Sequence, residues 1–249
     1  MAALATCVAV AGACRPGTVR IDPDQQVGDR ARYRYEIEAT ITRSIDGGEP
    51  TATTISATLL ADQEIVALVE GGVEAEVTLR RDGGAARTAR VVLDRSGAIS
   101  HIELVEGLDG DVLGLSELGP LILPATTAPP RRALAPGERW SISEGESVGH
   151  GRLLRLGVVD GTDVAVVETS VSETIDDAVA AGSSPATLTG ERRADGTVTY
   201  DLDDGSVRRS MARSHGDLWV RLEPPAGVDA EPALGTISYD IEVRLVRLD

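Results

Sequence analysis

Two stretches of strict alternation constrain this chain more than anything else in it. In the first, Tyr33, Tyr35, Ile37, Ala39 and Ile41 alternate with Arg32, Arg34, Glu36, Glu38 and Thr40. In the second, Ile237, Tyr239, Ile241, Val243 and Leu245 alternate with Ser238, Asp240, Glu242 and Arg244. A period of two turns one face of a strand to a core and the other to water, which is the pattern of antiparallel sheets. Gly-based turn signals separate the apolar runs at "DGG" (Asp46 and Asp82), "RSG" (Arg95), "ADG" (Ala194) and "DDG" (Asp203). Their spacing suits β-meanders. Aromatics make up only 2% of the chain and Phe is absent, so the core has to be built from Val, Ile, Leu and Ala. That composition favours strands again. Lys and Asn are missing as well. Lys, Asn and Phe share AT-rich codons, so their joint absence points to a GC-rich genome of the actinobacterial type.

The alternation comes in two copies. "VGDRARYRY" from Val27 is echoed by "PGERWSI" from Pro136, and "IVALVEGGVEAEV" from Ile65 by "VAVVETSVSETI" from Val164. "VVLDRSGAISHIEL" from Val91 is echoed by "VTYDLDDGSVRRSM" from Val198, with Gly97 matching Gly205. Three echoes in one order define two β-rich units, 28–106 and 137–249. Residues 107–136 link them and change character. Leu108, Val112, Leu115 and Leu118 recur at helical spacing, with Asp109 or Asp111 placed to cap the start and Pro120 to end it. The expected fold is therefore mainly β. Duplicated antiparallel β-meander units form curved sheets, a barrel or a sandwich, with one short Leu-rich helix between the copies.

The first fourteen residues, "MAALATCVAVAGAC", are uncharged and rich in small side chains. They read as the apolar part of an export signal, too short to span a bilayer as a helix. "AGAC" has the form of a lipobox, with Cys14 as the lipidated first residue of the mature chain and Ala11 in place of the preferred leucine. "AGA" also satisfies ordinary secretory cleavage, and Cys7 is a rival anchor with little apolar sequence before it. No cysteine follows Cys14, as expected when the sole mature thiol is a lipid anchor rather than half of a disulfide. Residues 15–27, polar and Pro-containing, read as a tether.

Lipobox, tether, "VGD" strand start, "LDxxG" hairpin, Leu-rich link and "PGERW" restart together resemble actinobacterial surface lipoproteins of uncharacterised role that carry two β-meander repeats. More distantly, the layout is similar to envelope lipoproteins that carry lipids on a curved sheet. The first resemblance implies an exported protein held at the outer face of the cytoplasmic membrane. The second implies an apolar ligand between sheet and linker helix, lined by Leu108, Val112, Leu115 and Leu121.

Charge narrows the partners. A formal charge of −16 repels phosphate backbones, so nucleic acid is not an expected ligand. It repels anionic membrane surfaces too, leaving the Cys14 lipid as the expected attachment. "GESVGH" contains Gly-x-Ser-x-Gly around Ser147, the pattern of a nucleophile elbow. No helix pattern follows it, and His215 is the one histidine far enough downstream to act as base, so a hairpin turn is expected instead. His101, His150 and His215 are isolated and no Cys pair has zinc spacing, so no metal is expected. "DLDDGS" from Asp201 reads as a turn rather than a calcium loop. Without Lys there is no phosphate-binding P-loop, and no cofactor is expected. Trp140 shares parity with Ile142 and is expected in the core. The functional expectation is a non-enzymatic envelope lipoprotein that binds or scaffolds. An apolar-ligand carrier is the alternative, and a serine hydrolase through Ser147 a remote one.

Overall fold

Wherever the sequence alternates, the chain is extended. A computed structural model describes residues 17–22, 24–81, 84–94, 99–106, 128–144, 147–181, 184–224 and 230–248. They form eleven strands: β1 Arg30–Ile45, β2 Thr51–Val69, β3 Gly72–Arg81, β4 Arg87–Asp94, β5 Ile99–Glu106, β6 Arg139–Glu144, β7 Ser147–Val159, β8 Thr162–Ala181, β9 Ser184–Asp201, β10 Val207–Leu222 and β11 Ala233–Arg247. All eleven belong to one antiparallel sheet, in the order β5-β4-β3-β2-β1-β11-β10-β9-β8-β7-β6. The first five strands and the last six therefore form one continuous system rather than two lobes. The two strictly alternating stretches, in β1 and β11, are the strands that join them. Ile37 lies opposite Val243, Ala39 opposite Ile241 and Ile41 opposite Tyr239. β5 and β6 end the sheet, and no pairing between them occurs among the described residues. The described residues contain no helix. The Leu-rich helix expected over the linker lies outside them.

Register gives the sheet one apolar and one polar face. Ile37, Ile41, Leu59, Leu218, Tyr239 and Ile241 make a cluster across the middle of the apolar face. A second cluster spans β1 to β4 through Tyr33, Ala61, Ala75 and Val91. A third, on β7 to β9, holds Leu153, Val167, Val198 and Tyr200. Two aromatic side chains lie flat over glycines on the neighbouring strand. A Cβ at Gly151 would sit 2.2 Å from the Trp140 ring, and one at Gly216 2.5 Å from the Tyr239 ring. Trp140 faces Gly151, and Tyr239 faces Gly216, directly across their strand pairs. Glycine is thus what lets a scarce large ring fold down onto the sheet.

The "VGD" and "PGE" echoes have one geometry. Asp29 N–H donates to the Gln26 carbonyl at 3.1 Å, and Glu138 N–H to the Ala135 carbonyl at 2.9 Å. Gly28 and Gly137 occupy the third position of these turns with φ of +97° and +85°, the type II arrangement that favours glycine. Each acid then turns back to accept the amide three residues earlier, Asp29 from Gln26 at 2.7 Å and Glu138 from Ala135 at 2.8 Å. The glycines and acids also pair with a strand alongside: Gly28 and Asp29 with Ile65, Gly137 and Glu138 with Leu153. Directly after Ile65 and Leu153 the register slips by a residue, forming a β-bulge in each place.

Three expectations are corrected by this arrangement. The tether at 15–27 is not free where it is described. Val19 bridges Leu134, Asp24 N–H donates to the Asp204 carbonyl, and Ile21 is 2% exposed within the third cluster. Apolar Val19 and Ile21, two residues apart, are a short strand-like pattern hidden in a polar stretch. "ADG" at Ala194 is not a turn but the middle of β9, with Ala194 buried and Gly196 opposite Thr169. The echo of 65–77 in 164–175 is also displaced. Residues 65–77 cross the β2–β3 hairpin, whereas 164–175 lie within β8. The corresponding hairpin turns are Glu70-Gly71 and Asp160-Gly161, because alternation alone matches a hairpin and a long strand equally well.

Candidate functional site

The sequence-derived nucleophile is not assembled. Ser147 opens β7 opposite Glu173; Glu173 lies opposite Arg192, and Arg192 opposite Gly216. Ser147 therefore shares the apolar face with Gly216, three strands and about 14 Å away. His215, one residue from Gly216, points to the opposite face. His150 is exposed on β7, and the His101 side chain, like Cys14, Leu108, Val112, Leu115 and Leu121, lies outside the described residues. No cluster of three metal-ligating side chains occurs among the described residues. The "DLDDGS" segment is a turn: Asp201 accepts Asp203 N–H at 2.9 Å, and Asp204 accepts Ser206 N–H at 2.8 Å. Asp204 is also held by Arg247 at 3.0 Å, a bond reaching from β11 to the β9–β10 turn. The apolar-face aliphatics that are described are already packed, Ile41 at 2% and Leu218 at 2% exposure. They build no apolar ligand cavity by themselves.

What the fold does build is a groove on the polar face, spanning β9, β10, β11, β1 and β2, with a volume of about 500 Å³. Alternation puts Glu38 and Thr40 of β1, Thr54 and Ser56 of β2, Arg213 and His215 of β10, and Asp240 and Glu242 of β11 on this face. Apart from Glu38, for which no ion pair occurs among the described residues, its charged groups hold one another. Arg213 Nε donates to Glu242 Oε2 at 2.7 Å, and Arg244 pairs with the same carboxylate. Hydrogen bonding from Arg213, reinforced by Arg244, holds the Glu242 carboxyl below the usual glutamate range. His215 sits between two acids, with Nδ1 2.9 Å from Asp240 and Nε2 3.2 Å from Asp217. The hydrogen bond to Asp240, aided by Asp217, raises the imidazole pKa above its ordinary value. The protonated ring donates from both nitrogens. Arg193 and Asp195, 3.4 Å apart, border the groove on β9. A second groove of about 500 Å³ on the same face is bounded by Arg30, Arg32, Asp62 and Glu64. There Asp62 is gripped by both Arg32 and Arg80, and those hydrogen bonds, Arg32's foremost, lower its pKa.

Sequence reasoning passed over the first groove because its members lie far apart in the chain and meet only through strand order. One signal was available. His215, Asp217, Trp219 and Arg221 share a parity on β10 opposite to that of buried Ala212, Ser214 and Leu218. Trp219 is accordingly 68% exposed, whereas Trp140 packs against the third cluster.

No family model and no curated protein matches the chain. Among solved structures it is similar to OmpTdeltaL8, a loop L8 deletion mutant of OmpT, an outer membrane protein of Vibrio cholerae. The identity is 9%, the TM-score 0.22, and the match covers 88% of this chain and 100% of that one. This corrects the expectation of a non-enzymatic protein. That expectation rested on the lack of a recognisable catalytic motif in the sequence, and an absence of activity is not asserted. At that TM-score the likeness carries no argument for an activity either.

Proposed function

We propose that this chain is an exported envelope protein, anchored through Cys14, that binds a partner through the five-strand groove on its polar face. The observation that carries the reading is the groove itself, in the middle of a sheet, with Arg213, Glu242, His215 and Asp240 fixed by mutual hydrogen bonds. Side chains already ordered in the free protein lose little freedom on binding, which is what a recognition surface needs. Export and anchoring draw on the apolar, uncharged N-terminus, on Cys14 as the last cysteine, and on the resemblance to surface lipoproteins.

Two measurements test this. A photo-crosslinking side chain placed at Thr54, inside the groove, is expected to form an adduct with an envelope component on intact cells. The same group at Glu70, on the β2–β3 turn, is expected to form none. Equal labelling from both positions would remove the groove from consideration. Separately, Cys14→Ser is expected to shift the protein from the membrane to the soluble fraction, and intact mass to show a diacylglyceryl group on the unmodified sequence's Cys14. An unchanged distribution would dispose of the anchor.

A further inference from the structure

Trp219 is one of two tryptophans in the chain, and it lies on the wrong side of the sheet for a core residue. It stands 68% exposed on β10, opposite Thr236 on one side and Thr189 on the other. It shares a face with His215, four residues and about 14 Å back along the same strand. A large exposed ring beside a polar groove, in a chain that uses aromatics so sparingly, calls for a ligand with one apolar face and many hydroxyls.

We propose that the ligand of the groove is a neutral glycan chain, with Trp219 as the platform on which a sugar ring stacks. The inference rests on the groove being the binding surface and names what it takes. Four properties converge on it. The groove crosses the interior of the sheet, where β9, β10, β11, β1 and β2 are each paired on both sides. A peptide therefore cannot add as a strand there, and recognition has to come from side chains. Arg193 pairs with Asp195, Arg213 with Glu242, and His215 with Asp240 and Asp217, while no ion pair engages Glu38 among the described residues, so the floor offers fixed donors and acceptors and no unpaired cation to draw an anionic ligand. Sugar hydroxyls both donate and accept, and match such a mixed lattice. The acidic excess of the whole chain disfavours phosphorylated, sulfated or uronic acid polymers, which selects a neutral one. Finally, the C–H face of a pyranose presents partial positive charge to the electron-rich face of an indole, while the rest of the sugar stays wet. Thr40, Thr54 and Ser56 supply hydroxyls along the far bank of the groove.

The test is calorimetric titration of the full chain with four neutral probes, chitotetraose, cellotetraose, maltotetraose and a soluble galactan, alongside Trp emission. Saturable binding of at least one probe is expected, with a change in Trp emission. Trp219→Ala is expected to weaken that binding about tenfold, Trp219→Tyr to retain most of it, and Arg213→Ala to weaken it as well. Position 219 is exposed, so thermal melting of both Trp219 variants is expected to match that of the parent. No saturable binding by any probe would overturn the proposal, as would binding that Trp219→Ala leaves unchanged. If the Thr54 crosslinker captures an envelope protein while no probe binds, the glycan is refuted and the groove survives. If neither occurs, both fall.

Discussion

At the scale of single residues, this sheet depends on a few side chains whose neighbours are matched to them. Gly216 accommodates the Tyr239 ring, which is 1% exposed and has little room to retreat. Gly216→Ala is therefore expected to cost about 1–3 kcal/mol through overpacking, read as a lowered midpoint in urea unfolding. His215 sets a different expectation. Its folded pKa is raised by Asp240 and Asp217, so its pairing stabilises the protein fully below the unfolded imidazole pKa of about 6.5. That contribution is lost as pH rises through the higher folded value. The ring is more than half exposed, so the effect is small. In a series of melting temperatures between about pH 5.5 and 8.5, His215→Gln should remove the part of the decline that the parent shows in this window. Residue identity was also where the sequence was most legible for Trp140 and least for Trp219. Both obey parity, but the sequence reading applies it only to Trp140, beside Ile142, and not to Trp219, which alternates with buried Leu218 and partly buried Val220. Ser147 shows the opposite error averted: a three-residue match to an elbow fails once strand order places its base on the other face.

At the scale of elements, the type II turns at Gly28 and Gly137 start β1 and β6 and tie them to the bulged strands beside them. Gly137→Ala forces a Cβ into a left-handed conformation, at an expected cost of about 1–2 kcal/mol, measurable by chemical denaturation. The turn acids allow a finer check, since Glu138→Gln keeps the acceptor to Ala135 and should cost less than Glu138→Ala. The segment before β1 is the element that composition misled. Arg20, Asp22, Pro23 and Asp24 look like a solvated linker, and Val19 and Ile21 among them make an alternation of only two residues, too short to stand out from a polar stretch. Ile21→Ala is expected to destabilise the fold by about 2–5 kcal/mol, whereas a genuine tether would tolerate it without change. Strand identity was readable because alternation is local. Hairpin register was not, since Ile65–Val77 and Val164–Ile175 carry the same pattern with and without a turn.

At the scale of the molecule, the order of strands was beyond the reach of the sequence. Nothing local states that the first long strand pairs with the last, with Ile37 against Val243 and Ala39 against Ile241. Because that pairing carries the central apolar cluster, which draws on β1 and β2 as well as β8 to β11, the two halves should unfold together. Trp emission, dominated in the folded core by Trp140 of the second half, is expected to report the same midpoint as hydrogen exchange in β2 and β3. Two separated transitions would mean that the shared strand pair does not couple them. The docked N-terminal segment has a consequence of its own for an anchored protein. Only Arg15 and Pro16 separate Cys14 from Gly17, a leash of about 10 Å at full stretch. A lipidated chain would then stand close against its bilayer instead of drifting above it, with its pose set by where Val19 and Ile21 are clamped.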